Sequence, residues 1–307
     1  MAERPEVISG VNKRLVRLAF ERAASSYDAH AVLQREIADR MMARLDYIKH
    51  QPKILLDAGA GTGFGTRGLR SRYPQATVIA LDLAEAMLKR ANPPQNLWQR
   101  MRRSSNLHSV CGDIEALPLK TSSVDMIWSS LALQWCNDLN VSFAELYRVL
   151  APGGLLMFAT FGPDTLNQLR SAFAVVDDYT HVNHFVDMHD IGDVLVSAGF
   201  NAPVMDMEYI TLTYADLKAM LRELKAIGAH NVTDGRNQGL TSRERWRKLE
   251  AAFEQFRTNG RLPATYEVIY GHAWINQKIP KAARSAEGYQ VVQMNLRGNS
   301  NSDPNKE

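Results

Sequence analysis

The residues best placed to do chemistry are three aspartates, Asp57, Asp82 and Asp113, each standing at or just after a short apolar run. The runs read "KILLD", "TVIALD" and "LHSVCGD". Apolar stretches of this length that close on a turn signal read as buried parallel strands. After Asp57 the chain continues "AGAGTGFGT", so Gly59, Gly61 and Gly63 alternate through the connecting turn. Glycine there permits positive φ and lets the backbone approach a ligand without a Cβ in between. A carboxylate at a strand end can hold an ammonium, a pair of hydroxyls or an amino group, and exposed amides at a helix start suit an anion. Two ligands need a backbone stripped this bare: a nicotinamide dinucleotide and S-adenosylmethionine.

Spacing separates them. The dinucleotide fingerprint is G-x-G-x-x-G directly after the first strand. Counted from Gly59, its third glycine should fall at position 64, which is Phe64. A formal match at Gly63-x-Gly65-x-x-Gly68 begins too far past the strand, which would put those glycines inside a helix, away from any phosphate. S-adenosylmethionine fits instead. Asp57 and the turn amides suit its amino-acid end. Asp82, at the end of the next strand, can accept both ribose hydroxyls, and Asp113 can take the adenine amino group. In an open α/β sheet, ligands sit at the carboxyl ends of the strands.

Those acids require elements to hold them. The runs at Ile54–Asp57, Thr77–Leu81, Leu107–Cys111, Asp125–Ser129 and Leu155–Thr160 alternate with helical segments such as "AEAMLKRA" and "FAELYRVL". The alternation predicts a doubly wound α/β sheet. Val204–Thr213 and Glu267–Ile275 read as two further strands. Between them, Leu217, Met220, Leu221, Leu224 and Ile227 form one apolar stripe at helical spacing, and Trp246, Leu249, Phe253 and Phe256 another. An inserted helical pair, at about 213–262, serves equally as a lid or as packing on the sheet. Ala31–Leu45 reads as a helix before the first strand. Residues 1–10 are expected to be flexible, 11–280 to form one domain, and the polar tail 281–307 to be disordered. Gln95–Asn106 reads as a long basic loop, and Asn92-Pro93-Pro94 as the stop of a helix.

Composition narrows the function classes. The 307 residues are 45% hydrophobic and 22% charged with a formal net charge of +3, so no polybasic field marks a nucleic-acid binder. Two cysteines, Cys111 and Cys136, are too few for a disulfide framework or a zinc site and suit a reducing cytoplasm. The N-terminus "MAERPEVISG" lacks a signal-peptide core, and no apolar run approaches the ~20 residues of a membrane span. The expectation is a cytoplasmic protein with neither membrane nor nucleic-acid partner.

Five phrases, "LLDAGAGTG", "ALDLAEAML", "GDIEALP", "VDMIWSSLALQW" and "LYRVLAPGG", resemble in order the motifs of class I S-adenosylmethionine-dependent methyltransferases. Four more, "AFERAASSYDAHAVLQ", "LALQWCNDL", "HVNHF" and "LKAIGAHNVTDGR", are similar to the malonyl-acyl-carrier-protein O-methyltransferase family of biotin synthesis. The resemblance implies a Rossmann-like, mostly parallel seven-stranded sheet with helices on both faces and a helical insertion between the last two strands. It implies S-adenosylmethionine as methyl donor, S-adenosylhomocysteine as product and no metal. The cofactor residues carried over are Tyr27, Gln34, Asp57, Gly59, Gly61, Gly63, Asp82, Leu83, Met87, Asp113, Ile114 and Ser130.

The acceptor implied is the free carboxylate of a malonyl thioester on acyl carrier protein. Such a carboxylate is already ionised at neutral pH and needs no general base. The expected acceptor site is therefore aromatic and amide side chains around one or two cations, without a His–Asp pair. His181, His184 and His189 show no paired acid at motif spacing. Candidates are Tyr27, Gln134, Trp135, His181 and Asn183, with Lys225 or Arg236 as the cation. Ser129-Ser130-Leu131-Ala132 stands where methyltransferases of amide or ring nitrogen often carry an Asn/Asp-Pro-Pro-aromatic clamp. An acidic carrier calls for a basic docking patch: Arg100, Arg102 and Arg103, or Arg243, Arg245, Arg247 and Lys248. Three other readings stay open. Several phrases, with "LPATY" at Leu262–Tyr266, are shared with a mitochondrial complex I assembly factor whose family is linked to arginine hydroxylation. The others are a small-molecule carboxyl or carbon methyltransferase and a non-catalytic cofactor-binding adaptor.

Overall fold

A computed structural model describes residues 10–93, 106–229, 231–232 and 242–276. Arg236, Arg100, Arg102, Arg103 and the expected polar tail lie outside the described residues. Three helices, α1 (Lys13–Ala23), α2 (Tyr27–His30) and α3 (Val32–Arg44), precede the first strand. There follow β1 (Ile54–Ala58), α4 (Phe64–Arg72), β2 (Thr77–Asp82), α5 (Glu85–Ala91), β3 (Leu107–Cys111), β4 (Val124–Ser130) and α6 (Leu139–Val149). The described chain completes with β5 (Leu150–Phe161), α7 (Asn167–Ala174), α8 (Met188–Ser197), β6 (Asn201–Tyr214), α9 (Leu217–Ala226), α10 (Arg243–Glu254) and β7 (Leu262–Trp274).

The strands form one seven-stranded sheet in the order β3-β2-β1-β4-β5-β7-β6. Strands β1 to β5 pair in parallel, while β7 runs antiparallel to both β5 and β6. The order reverses between β1 and β4, which opens a crevice at their carboxyl ends. Consecutive apolar residues on each central strand go to opposite faces, as a two-residue period requires. Leu55, Met126 and Leu155 enter one core with α3 and the inserted helices; Leu56, Ile127 and Leu156 enter the other with Phe143 and Leu195. That is why these strands read as unbroken apolar runs.

Strand β5 begins earlier than the expected Leu155, at Leu150, and runs through Pro152-Gly153-Gly154. Backbone bonds across the kink explain it: Gly153 N donates to Ile275 O at 2.9 Å, and Ile275 N to Gly154 O at 3.0 Å. Helix α5 stops at Ala91, before Asn92-Pro93. The two inserted helices start on side-chain caps, Asp216 accepting from Ala219 N and Ser242 from Arg245 N. Their stripes bury Leu217, Met220 and Leu224, and Leu249 and Phe253, in the first core. Truncating a buried residue such as Met220 to alanine costs about 2–5 kcal/mol. The insertion is thus part of the fold's packing, and α10 lies on α7. None of the described helices is long and apolar enough to cross a membrane.

Candidate active site

The turn after β1 is held down by the neighbouring strand. Gly59 N and Ala60 N both donate to Leu81 O, at 2.8 and 2.9 Å. Gly59, Gly61 and Gly63 all have positive φ, of 85°, 53° and 84°. Gly61 faces open space where a Cβ would stand, whereas a Cβ at Gly63 would lie 2.8 Å from the Cα of Ala91. Gly61 is therefore bare toward the crevice, and Gly63 is bare so that α4 can start against α5. Gly65 and Gly68, the formal dinucleotide match, lie within α4, where Gly65 makes room for the Trp128 indole.

The crevice is open to solvent and spans about 850 Å³. Gly59, Gly61, Asp82, Leu83 and Met87 line one side; Asp113, Ile114 and Ser130 line another, with Tyr27 and Gln34 from the N-terminal helices. Asp57 and Gly63 do not line it. Asp57 lines an adjoining recess of about 470 Å³ that shares Tyr27, Gln34, Gly59, Gly61 and Ser130 with the crevice. The Asp57 carboxylate accepts from Thr66 Oγ1 at 2.5 Å. In the same recess stands Trp128, fully buried, with no partner for its indole N–H among the described residues. Gln34 Oε1 is likewise buried and without a partner among the described residues.

Burial holds both acids well above the usual carboxylate range. Asp57 is pushed up to about 7 by burial, with the negative charge of Asp82 adding to it against the Thr66 hydrogen bond. Asp82 is pushed up to about 6 by burial, despite amide hydrogen bonds from Ala84 and Gly61. Burial, reinforced by Asp82 and Asp28, raises the Tyr27 phenol far above neutral pH, so it remains a hydroxyl donor. Burial also pushes the Cys136 thiol, in the crevice wall, up to about 11, so it is no nucleophile at neutral pH.

A second cavity, of about 930 Å³, opens from the first and shares Gln34, Gln134, Trp135, Phe161 and Ile227 with it. His181, Asn183 and Lys225, which are far apart in sequence, all line this second cavity. Gln134 is pinned, donating to Leu131 O at 2.8 Å and accepting from Thr160 Oγ1 at 3.4 Å. Trp135 meets Phe20 of α1 edge-on at 5.3 Å. The rest of the wall is largely apolar, with Leu166, Leu169, Phe173 and Leu221 among it.

The expectation of no His–Asp pair is overturned. His181 Nε2 lies 2.6 Å from Asp177 Oδ1. The two residues are four apart but not in a helix, so no helical face announced them; the loop before α8 folds back to bring them together. His189 also meets an acid, Asp187, at 2.8 Å, but this is an exposed contact at the start of α8. His184 lines a third cavity, which shares Gln134, Phe161, Asn183 and Phe185 with the second. Sequence reasoning also missed Lys13 and Phe20, which line the crevice from α1. Lys13 Nζ donates to Asp113 Oδ1 at 2.9 Å and also pairs with Glu115. An amphipathic first helix carries no chemical signature, so nothing in its spacing marked them.

A switch-point crevice rimmed by acids, on a sheet whose last strand is turned antiparallel, is the architecture of a class I methyltransferase. Residues 56–158 match the family described as a methyltransferase domain. Among solved structures, the YcgJ protein of Bacillus subtilis superposes with a TM-score of 0.55 at 14% identity, over 78% of this chain and 99% of that one, which shows the fold. A curated relative from Gallionella capsiferriformans, named malonyl-[acyl-carrier protein] O-methyltransferase, is 57% identical over 264 residues, 86% of this chain and 91% of its own. One of the same name from Nitrosospira multiformis is 55% identical over 274 residues, 86% of this chain and 89% of its own. The chain belongs to the malonyl-[acyl-carrier protein] O-methyltransferase family.

Proposed function

We propose that this protein methylates the free carboxylate of malonyl-[acyl-carrier protein], giving the malonyl methyl ester that primes pimeloyl synthesis for biotin. The observation that carries the reading is the junction of two cavities at Gln134, Trp135 and Phe161, one rimmed by acids and the other lined by amides, a lysine and apolar side chains. The relatives' names carry the substrate.

S-adenosylmethionine fits the residues present. Both oxygens of Asp82 already accept one amide each, and each keeps a lone pair for a ribose hydroxyl. Asp113 Oδ1 takes Lys13 and the Glu115 amide, which leaves Oδ2 for an adenine amino group. The open space at Gly61 and the unpartnered Gln34 Oε1 and Trp128 N–H suit the amino-acid end, with Asp57 supplying the countercharge. When bound, the sulfonium supplies an electrophilic methyl group, which the carboxylate oxygen takes as the sulfur–carbon bond breaks, and no proton moves.

The chain's task is alignment and drying. Lys225 and the amides of Gln134 and Asn183 would orient the acceptor, and the apolar wall excludes water. Orientation of this kind supplies on the order of 7–11 kcal/mol in favourable cases. Opposite charges cancel on reaction, so a water-poor chamber favours transfer over separated ions. A firm cation on the attacking oxygen would blunt it; Lys225 serves best on the other oxygen or the thioester carbonyl.

The test is to incubate the protein with labelled S-adenosylmethionine and malonyl carrier protein, reading intact mass and base-lability of the product. Base-labile methyl on the carrier is expected. Transfer to malonyl-coenzyme A that carrier protein leaves unaffected would overturn the carrier as partner, and no transfer to either would overturn the reaction. The carrier is acidic as a class, and Arg243, Arg245, Arg247 and Lys248 of α10 are the described candidates for its docking. Among the described residues no group of three His, Cys, Asp or Glu could hold a metal ion.

A further inference from the structure

The chemistry of methyl transfer leaves one hydrogen-bonded side-chain pair without a task. Asp177 and His181 form it: His181 lines the acceptor cavity, while Asp177, largely buried, does not line it and reaches it only through His181. Two helices and the backbone of the pair's own loop converge on it. Phe173 of α7 stacks on the His181 ring, with centroids 3.7 Å apart and planes at 6°. Arg245 of the inserted helix α10 places Nη1 3.9 Å from Asp177 Oδ2. Tyr179 N donates to Asp177 Oδ1 at 3.1 Å, so backbone as well as side chains restrain the carboxylate. The second ring nitrogen, His181 Nδ1, has no hydrogen-bond partner among the described residues.

We propose that Asp177 is a positioning residue: it fixes His181 through Nε2 so that Nδ1–H donates to the anionic carboxylate of the methyl acceptor. The inference rests on the malonyl reading of this cavity. A carboxylate on each side of an imidazole leaves one consistent arrangement, in which both nitrogens carry protons and the ring is a cation. A neutral ring protonated only at Nε2 would turn a lone pair toward the acceptor and repel it. His181 is no base here, because an ionised carboxylate has no proton to give up. Its cation, with that of Lys225, selects an acceptor that is charged before transfer and releases the ester, which is not. Burial by itself would raise the Asp177 carboxyl; hydrogen bonds from His181 and Tyr179 N, with the charges of His181 and Arg245, hold it below the usual carboxylate range, so the anion is secured.

The full chain carrying Asp177→Asn keeps the shape of the pair and removes its charge. A charge-assisted hydrogen bond is lost, so the KM for malonyl carrier protein should rise about 10- to 100-fold, with calorimetric affinity for S-adenosylmethionine unchanged. Competition between malonyl carrier and carrier bearing the uncharged methyl ester should lose its preference for the former by a similar factor. A role confined to structure would worsen the acceptor and cofactor constants together and leave that preference unchanged. Nitrogen-15 spectra of the wild-type protein with S-adenosylhomocysteine and malonyl carrier should show both His181 nitrogens protonated. A singly protonated ring in that complex overturns the proposal even if the variant fails to fold. So does a variant whose acceptor KM is unchanged, or whose acceptor and cofactor constants worsen together. Wild-type transfer to malonyl carrier alongside any of these results leaves the acceptor reading standing; failure of wild-type transfer removes both.

Discussion

The amide of Gly61 donates to Oδ2 of Asp82 across 2.8 Å, which ties the bare turn after β1 to the acid that ends β2. Ala84 N holds the other oxygen at 2.8 Å. The carboxylate is thus aimed by backbone alone. Asp82→Ala should lower affinity for S-adenosylmethionine by about 100-fold or more, since two hydrogen bonds to a charged acceptor disappear, each worth about 1.5–3 kcal/mol. The fold should survive, because the two amides can turn to water. Unchanged affinity by calorimetry would remove Asp82 from the site.

The pH dependence of binding follows from the two raised carboxyls. In the free protein Asp57 sits up to about 7 and Asp82 up to about 6, above their unfolded values, chiefly through burial. Folding therefore takes up protons. The pair's contribution to stability is present at acid pH and lost as pH rises through about 6 and 7. Cofactor binding runs the other way, because an ammonium and ribose hydroxyls favour the ionised acids. Affinity should be weak below about pH 6, rise as the coupled pair titrates, and level off above about pH 7. Calorimetry across that range should show about tenfold or more; a flat profile would contradict the assignment. Asp57→Asn should abolish the upper part of this dependence and stabilise the free protein at about pH 8, seen as a higher melting temperature.

The alternating glycines divide in role. Gly61→Ala would place a methyl in the crevice at a φ of 53°, with nothing within 4 Å to strike. It should cost about 1 kcal/mol in strain and act mainly on cofactor affinity. Gly63→Ala would drive its methyl to 2.8 Å from the Ala91 backbone. It should cost about 2–3 kcal/mol, with any effect on affinity following from displacement of α5. Melting temperatures and dissociation constants measured together distinguish the two; equal effects at both positions would refute the division.

Asp113 differs from the other acids in being half-exposed and already paired with Lys13, at 2.9 Å. Its contact to the adenine amino group should be worth less than that of Asp82 to the ribose. Asp113→Ala should weaken cofactor binding by about tenfold, near the value of a single hydrogen bond. It should also narrow the preference for S-adenosylhomocysteine over its inosine analogue, which carries a carbonyl in place of the amino group. A preserved preference would place the adenine elsewhere.

Much of this architecture was open to reading from the chain. The runs around Leu55, Val78 and Ile127 are apolar on consecutive residues because both faces of a parallel strand are buried, and that pattern survives in one dimension. Where backbone bonding alone extends an element, as at Leu150–Gly154, composition is silent and the boundary was missed. The acids at strand ends were legible because a strand's end is itself a local feature.

Pairings across loops were not. Asp177 and His181 meet because a non-helical segment folds back under Phe173, and Lys13 reaches Asp113 because α1 is laid across the crevice. By itself the sequence determined a doubly wound sheet, three acids along its carboxyl edge and the motifs of a methyltransferase, since short-range periodicity and turn chemistry encode these locally. Only the tertiary structure decided that Asp57 stands in a side recess, that Gly63 serves packing, and that a cavity beside the crevice gathers Gln134, His181, Asn183 and Lys225. Those facts depend on how whole elements pack, and burial and proximity between distant residues leave no spacing behind to be read.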